Sequence, residues 1–392
     1  MKKIILLFIL NMSISISAQT GSTNYGDGTS FGTGEDYNSA FGANVLSSNT
    51  TGRFNSGFGN AVLKDNTSAE ENSGFGYRSL YLNDTGNDNS AYGFKSLFSN
   101  TSGNSNSAFG HGALLSNTTG ENNTASGMQS LYSNTIGTRN TAVGYNALYS
   151  NVSGGQNGAF GYGALQNNTS GTLNNAFGHE ALSSNETGQF NSAFGHEALK
   201  FNSGSNNTAF GMRALKSNTS GTNNTAIGYN AKASVNNSTN QTVIGYEATG
   251  QADNSVVLGN DAVTAVYMGE DSGAKVYAGE GSFTGDLTIG GDVVISSDAR
   301  LKSNIVSLGS TLSKLLLIDG KSYQMKGKQK IGVLAQEIKK VFPELVTEDE
   351  NEILAVNYQG IVPVLINALK EQENKVQEQE KRIKRLEKLL LD

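Results

Sequence analysis

The sequence predicts a mainly β protein: a parallel β-roll or β-helix solenoid of 17-residue coils, a β-rich neck, and a small α+β domain that ends in a long coiled-coil helix. Three observations predict this architecture. A glycine recurs every 17 residues from Gly42 to Gly195, a fixed period that is typical of stacked repeats. The composition changes near residue 297, and an apolar heptad follows in the last thirty residues. We expect the chain to be a homotrimer.

The N-terminus has the pattern of a secretory signal peptide. Lys2 and Lys3 precede an apolar run over residues 4–10, and small polar residues lead to Ala18. The run is too short to cross a bilayer, which favours a signal over residues 1–18 that is removed near Ala18. We therefore expect export, to the cell surface or the medium. No later segment is apolar enough to form an integral membrane span.

The repeats from residue 19 to residue 262 predict a rod of stacked strands. In residues 106–122, alternation sends Ala108 to one face of a strand and Phe109 to the other. Small side chains can then line a narrow interior. A coil of 17 residues is too short for two helices and a turn, so each repeat is interpreted as one coil lying on the coil before it.

Two apolar columns follow from this stacking. Phe precedes the glycine at positions 41, 58, 75, 109, 160, 177, 194 and 210, and Leu follows it by four residues at 46, 63, 80, 97, 114, 131, 148, 165, 182, 199 and 215. A coil this slender cannot enclose both columns. Because an exposed aromatic stripe along a rod would aggregate, we expect one column to be buried between chains.

The polar segments between strands are interpreted as corners. Segments such as Asn-Thr-Thr-Gly tolerate the left-handed backbone of tight corners, and stacked asparagines can hydrogen-bond along the rod. An ice-binding face would need a strict Thr-x-Thr array, and calcium-binding repeats would need an Asp at a fixed position. Neither pattern occurs.

Composition and charge exclude several other classes. The chain has 48 glycines and no cysteine, so neither a disulfide framework nor a thiolate metal site is predicted, and no cofactor or metal is expected. Both prolines, Pro343 and Pro363, lie near the end, which leaves the rod's backbone donors available. Residues 19–296 carry 10 basic and 20 acidic residues, a net charge of −10 that disfavours nucleic acid as a partner.

The last repeats resemble a known family. Residues 241–262, where the glycine step shortens to 14 between Gly245 and Gly259, resemble the head repeats of YadA-like trimeric adhesins. The resemblance continues more loosely over residues 30–262. It implies β-rolls packed in threes and an adhesin-like protein that contacts a host surface or a glycan. Residues 263–296 have short alternating strands and glycine corners, which predicts a β-rich neck.

The C-terminal segment resembles the peptidase S74 family, the intramolecular chaperone at the end of phage tailspikes and endosialidases. Five blocks carry the resemblance, at residues 296–305, 331–337, 341–346, 356–358 and 365–371. It implies that residues 297–392 assemble the trimer and are then released by autoproteolysis between Ser296 and Ser297.

The same resemblance assigns the chemistry to a serine and a lysine. Ser297 would be the nucleophile and Lys302 the base, with the nearby Asp298 carboxylate as a modulator. A lysine acts as a base only when neutral, which requires burial as three chains close around it. The alternative interpretation is a helix cap at Ser297 or Asp298, with Arg300 and Lys302 exposed. This single-turnover cut is the only catalytic activity that we expect.

The final helix, predicted over residues 361–392, carries a heptad that predicts a trimer seam of Leu365, Leu369, Gln372, Val376, Gln379, Ile383, Leu386 and Leu390. A two-stranded coil is the less favoured form. A lone amphipathic helix folded onto its own domain would use Leu365 and Leu369 but not the charged residues beyond them.

The favoured function is thus an exported homotrimeric fibre with a removable assembly domain. The alternative is a tailspike-like or tail-fibre-like protein that binds a receptor or degrades polysaccharide. Against a degrading enzyme, no repeated carboxylate pair marks a glycosidase site, since Glu180 and Glu197 only follow the repeat. Against a phage fibre proper, a signal peptide would be out of place.

Overall fold

The computed structural model describes residues 23–26, 37–267, 276, 287, 296–325, 327–349 and 352–391. The chain divides into two compact units, Met1–Val276 and Tyr277–Asp392, and each is described by itself. The predicted signal peptide and nearly all of the predicted neck lie outside the described residues and stay predictions.

The first unit is a parallel β-solenoid, which confirms the predicted fold class. Its strands form one 15-stranded sheet in chain order. The strands are β1 Thr23–Tyr25, β2 Ser39–Phe41, β3 Ser56–Asn60, β4 Ser73–Tyr77, β5 Ser90–Tyr92, β6 Ser107–Phe109, β7 Thr124–Ser126, β8 Thr141–Val143, β9 Gly158–Phe160, β10 Asn175–Phe177, β11 Ser192–Phe194, β12 Thr208–Phe210, β13 Thr225–Ile227, β14 Thr242–Ile244 and β15 Val256–Leu258.

Strand register follows the repeat length. From β2 to β11 each residue pairs with the residue 17 positions on, as Ser39 does with Ser56 and Ala108 with Ala125. One coil is a residue shorter, where Ser192 pairs with Thr208, and the last pairs Thr242 with Val256. The predicted period is therefore the register of the sheet.

The interior contains small residues and the leucine column. Ala108 and Ala125 are fully buried, as predicted, and so is Leu114. Leu114 has a left-handed backbone, with φ of 52°, and the other leucines of the column share it. That conformation costs a non-glycine residue about 1–2 kcal/mol. Burying a leucine side chain contributes about 1.5–3 kcal/mol, which offsets the cost in every coil.

The prediction for the polar corners was wrong in one respect. Within Asn117 to Gly120 no residue has a left-handed backbone; in this coil the left-handed positions are Gly112, Leu114 and Asn122. Asn117 is instead fully buried. Its side chain lies in the interior and bridges the bend from there, through a hydrogen bond to the Gly120 carbonyl.

Two ladders of buried asparagine hold the coils together, as the stacking prediction required. Asn117 Nδ2 donates to Asn100 Oδ1 at 2.7 Å and to the Gly120 carbonyl at 2.9 Å. In the second ladder, the Asn123 backbone N–H donates to Asn106 Oδ1 at 3.0 Å. Each amide thus satisfies backbone groups that a narrow interior cannot expose to water.

The recurring glycines form a spine along which consecutive coils touch. Gly110 has φ of 135°, and a Cβ atom there would lie 2.7 Å from the Gly127 carbonyl oxygen. Only glycine permits both this backbone and this approach. The 17-residue glycine period is therefore a steric requirement of stacking.

The second unit is a small α+β domain. It contains the 3₁₀ turns Ala299–Leu301 and Pro343–Leu345, the helices α1 Leu312–Leu315, α2 Ala335–Val341 and α3 Ile361–Leu391, and the antiparallel hairpins β16 Lys321–Met325 with β17 Lys328–Gly332 and β18 Val346–Glu348 with β19 Leu354–Val356. Its core is formed by Ile338, Phe342, Leu345 and Val364. Helix α3 has 31 residues, within the range predicted for the final helix.

Candidate assembly and cleavage site

A single turn brings the predicted nucleophile and base together. Asp298 caps the 3₁₀ turn, since its side chain accepts a hydrogen bond from the Arg300 backbone N–H at 2.8 Å. The Lys302 N–H then donates to the Ala299 carbonyl at 3.1 Å. This turn folds Lys302 back so that its Nζ lies 2.7 Å from Ser297 Oγ. The helix cap and the Ser–Lys contact therefore coexist in one motif.

The Asp298 carboxylate faces Arg300. The Arg300 guanidinium donates to it from Nε at 3.0 Å and from Nη2 at 2.6 Å. These hydrogen bonds lower the pKa of Asp298 below its ordinary value. Asp298 thus shapes the turn that carries Lys302, and its charge is balanced by Arg300.

The surroundings of the Ser–Lys contact are open in the single chain. Ser297 and Lys302 are both exposed, as is Ser296 on the other side of the predicted cleavage site. Leu301 and Val306 beside them are also exposed, at 74% and 82%. Apolar side chains with this much exposure are typical of a surface that another element covers.

The segment that follows the site is tied to the long helix by Glu371. The Glu371 carboxylate accepts hydrogen bonds from Ser310 Oγ at 2.7 Å and from the Thr311 and Leu312 backbone N–H groups. These bonds, that of Ser310 first, lower the pKa of Glu371. Thr311 Oγ1 also donates to the Val364 carbonyl at 2.9 Å. Sequence reasoning missed this tether, because its partners are about 60 residues apart and share no motif.

Helix α3 has two apolar faces, and the one that packs on its own domain is not the predicted seam face. Val364 and Ala368 are buried there, each 3% exposed, whereas Leu365 and Leu369 are 42% and 68% exposed. The expectation that a lone helix would use Leu365 and Leu369 is therefore overturned. Spacing alone could not separate two apolar stripes that are offset by one residue.

The predicted seam residues all lie outside the domain core. Gln372 and Gln379 are exposed, and the apolar members of the heptad are Leu365, Leu369, Val376, Ile383, Leu386 and Leu390, exposed by 38% to 85%. Burial of a second apolar face is what a coiled coil provides. Within the described part of the chain, nothing covers this face.

The solenoid carries two exposed aromatic columns. The predicted column before the glycine stacks ring on ring, with Phe41 and Phe58 centroids 4.8 Å apart and Phe160 and Phe177 centroids 4.5 Å apart. A second column, directly after the glycine, was missed; in it Tyr145 and Tyr162 stack at 5.3 Å. Its members vary among Tyr, Phe, His and Met, which hid the pattern. The rings cover one another's faces and present their edges outward.

A charged cluster on the solenoid flank was also missed. Glu197, 7% exposed, accepts hydrogen bonds from Lys200 at 2.8 Å, Lys216 at 2.7 Å and Arg213 at 3.1 Å. These bonds, that of Lys200 first, lower the pKa of Glu197 to about 2. From the sequence, Glu197 was interpreted only as a repeat of Glu180. Its partners come from two coils, and this sets the cluster apart from a repeat feature.

The described residues form neither a membrane-spanning helix nor a metal-ligand cluster. Among the residues that the structure describes, no helix has the length and apolar character to cross a membrane. In the same ranges, no three His, Asp or Glu side chains converge as metal ligands would.

Comparison with known proteins assigns the C-terminal segment. Residues 297–347 match the Peptidase_S74 family model, described as the chaperone of endosialidase. The long tail fiber protein Gp37 of Escherichia phage AR1 is 34% identical over 92 residues, which covers 20% of this chain and 8% of that protein. This chain thus spans less than a tenth of the length of that relative.

The family match begins at Ser297 and does not include the solenoid. The resemblance of the rod to YadA-like head repeats therefore stays a prediction, as do the domain limits beyond residue 347. The assignment therefore covers only part of the C-terminal unit: residues 297–347 of this chain carry a Peptidase_S74 chaperone domain.

Proposed function

We propose that the chain forms a homotrimeric, tail-fibre-like rod whose C-terminal unit drives assembly and is then released by cutting itself off between Ser296 and Ser297. One observation carries the proposal: helix α3 buries Val364 and Ala368 on its own domain and leaves the whole heptad face exposed. A heptad face of this length is completed by copies of the same helix. The two core glutamines weaken the seam and fix its register.

The cut requires only groups of this chain and water. Lys302, once neutral, accepts the Ser297 Oγ proton, and Oγ attacks the Ser296 carbonyl carbon. The C–N bond to Ser297 breaks, its nitrogen takes up the proton, and an ester joins the two residues. Water then hydrolyses the ester, leaving a Ser296 carboxylate and a Ser297 amine. The 2.7 Å contact between Lys302 Nζ and Ser297 Oγ supports these roles.

Exposure of the site supports a link between assembly and cutting. A lysine in water is protonated, and burial shifts the balance towards the neutral amine. The single chain leaves Ser297 and Lys302 exposed beside apolar Leu301 and Val306. Trimer closure over this apolar surface would desolvate Lys302 and switch the cut on.

The aromatic columns support a rod that packs against its own copies. Sugar rings bind aromatic side chains through ring faces, but here the faces are stacked on one another, as in Phe177 and Phe194 at 4.9 Å. The exposed edges form apolar stripes that another copy can cover. The match to a phage tail fibre favours a second candidate role, receptor binding outside a cell, and the ligand would then contact another part of the rod.

The test compares the full chain with Ser297→Ala, Lys302→Ala and, as a matched control, Arg300→Ala. On denaturing gels we expect wild type and Arg300→Ala to release a fragment of 96 residues (297–392), and the other two variants to stay intact. Sedimentation should show trimers for all four chains. An intact wild-type chain would refute the cleavage, and a monomeric Ser297→Ala chain would refute the assembly.

A further inference from the structure

Each coil has a flat outer face with a left-handed residue at both ends. The face comprises the strand, the glycine and the residue after it, and its ends lie five residues before and two residues after the glycine. Around Gly76 these ends are Glu71, with φ of 59°, and Arg78, with φ of 54°. Stacking turns them into two columns, which we name the upstream edge and the downstream edge.

At two coils the two edges carry opposite charges. From Gly42 to Gly245 the upstream and downstream residues are Tyr37 and Asn44, Phe54 and Ala61, Glu71 and Arg78, Asp88 and Lys95, Ser105 and Gly112, Asn122 and Gln129, Arg139 and Asn146, Gln156 and Gly163, Leu173 and Glu180, Phe190 and Glu197, Asn206 and Arg213, Asn223 and Asn230, and Asn240 and Glu247. In both coils where the two ends are charged, the upstream residue is acidic and the downstream residue basic.

These four charges lack ion-pair partners in the part of the chain that the structure describes. The side chains of Arg78 and Lys95 lie over aromatic rings: the Arg78 guanidinium is 5.1 Å from the Tyr77 ring centre, and Lys95 Nζ is 5.4 Å from that of Phe94. Glu71 and Asp88 are exposed on successive coils. Hydrogen bonding to Asp88 raises the pKa of Glu71, as expected for two stacked carboxyl groups with no cation between them.

A charge on the downstream edge can be neutralised within one chain, as Glu197 shows. Glu197 occupies the same column as Arg78 and Lys95, yet Lys200 and Lys216 neutralise it at 2.8 and 2.7 Å. At that coil the upstream residue is Phe190, which offers no charge. Among the described residues, Arg78 and Lys95 make no ion pair at the two coils where the upstream edge carries opposite charge, and Glu247 makes none opposite the neutral Asn240.

A cyclic trimer brings the two edges together. In a ring of three copies with their aromatic faces towards the axis, the downstream edge of each copy meets the upstream edge of the next. The two columns differ by seven residues in a coil of 17, which is about 2 Å of rise at about 4.8 Å per coil. Copies that lie side by side at the same height thus bring Arg78 beside Glu71 of the next copy, and Lys95 beside Asp88.

We propose that these edge charges pair between copies and set the axial register of the trimer. The inference rests on the proposed homotrimer and adds what aligns it. A shift of one coil in one direction leaves Lys95 opposite Ser105, and a shift in the other leaves Arg78 opposite Phe54. Sliding one copy by one coil loses one of the two ion pairs at each of its two interfaces, whereas the aromatic rings recur in most coils and discriminate less between these alignments.

The test reverses one edge at a time in the Ser297→Ala chain. Arg78→Glu with Lys95→Glu makes both edges acidic, and Glu71→Arg with Asp88→Lys makes both basic. Like charges then meet at every interface, and we expect the concentration for half-dissociation of the trimer to rise by at least about tenfold. The fourfold variant that combines all these changes restores opposite charges and should return to the wild-type value.

The matched control is Arg139→Glu, which reverses a charge on the upstream edge where the downstream residue is the neutral Asn146; it should leave association unchanged. Both edges already accept such residues, since Arg139 and Glu180 are left-handed there, and circular dichroism verifies the fold. Half-reversed chains that associate like wild type, or a fourfold variant that fails to recover, would overturn the inference. A monomeric Ser297→Ala parent would instead refute the proposed trimer.

Discussion

The solenoid buries its column of leucines, whereas the C-terminal unit exposes the leucines of its heptad. Leu131 in the solenoid column is fully buried within one chain, whereas Leu386 on helix α3 is 52% exposed. Both belong to regular apolar columns, with periods of 17 and of 7 residues. The solenoid therefore completes its core by stacking along its own chain. The helix leaves its heptad face exposed, and the proposed trimer would cover it.

This difference separates folding from assembly. Each solenoid coil covers the coil before it, so a repeat array is stable through contacts between neighbouring coils. The C-terminal unit has a small core around Ile338 and Phe342, and its longest element extends beyond it. We expect damage to the solenoid to act on the stability of one chain, and damage to the heptad face to act on association.

The largest effect is expected at the glycine spine. Gly127→Ala places a Cβ atom 2.5 Å from the Gly144 carbonyl oxygen, on a backbone with φ of 141°. The backbone strain costs about 1–3 kcal/mol by itself, and separating two coils adds to it. We expect the free energy of unfolding to fall by more than about 4 kcal/mol. Chemical denaturation measures this loss.

The control for that change is Gly112→Ala, at a left-handed position where other coils carry Gln129 or Asn146. A Cβ atom there meets only side chains, the Tyr132 ring at 3.3 Å and Leu115 Cδ1 at 3.8 Å. The unfolding free energy should fall by only about 1–2 kcal/mol, the cost of a left-handed alanine. Equal losses for the two variants would contradict the steric account of the spine.

A leucine pair tests the comparison directly. Leu131→Ala should lower the free energy of unfolding of the solenoid by about 2–5 kcal/mol, because it leaves a cavity in a closed interior. Leu386→Ala removes the same atoms from an exposed face and should leave the unfolding of the single chain unchanged while weakening the trimer. Denaturation and sedimentation of both variants measure the two effects. Weaker unfolding stability in Leu386→Ala, with no loss of association, would reverse the assignment.

A smaller effect is expected from acid, which should weaken a hydrogen-bonded glutamate in each of the two units. Both Glu371 and Glu197 have lowered pKa values, so each stabilises the fold above its ordinary value of 4.5 and loses that contribution as the pH falls through the folded-state value. For Glu197 that value is about 2. As the pH falls below 4.5, the protection of amides from hydrogen exchange should weaken in wild type around Thr311 and α1, but not in Glu371→Gln, which lacks the titrating group. Protection factors around Thr311 that stay constant with pH in wild type would contradict this account.

Much of the solenoid was readable from the sequence. The glycine period gave the register, because a steric contact between coils demands glycine at one point of every coil. The Phe109 and Leu114 columns were also evident, since identical neighbours stack in identical environments. The left-handed backbone of Leu114 was not predicted, because propensity disfavours it and only the buried position of its side chain compensates.

The candidate site was readable in part. The order of five motifs predicted a peptidase S74 domain over residues 297–392, of which the family match covers 297–347, and offered the residue pair Ser297 and Lys302. The pairing of Asp298 with Arg300 was decided by side-chain geometry. The Glu371 tether spans 60 residues and has no local pattern.

The sequence by itself determined whatever repeats: coil length, strand register and the heptad, because periodic packing leaves a periodic trace. Tertiary structure alone decided which of two adjacent stripes on helix α3 faces inward, burying Val364 and leaving Leu365 exposed. The physical reason is that a helix rotated by one residue satisfies the same spacing. Only the shape of the surface beneath it selects the face.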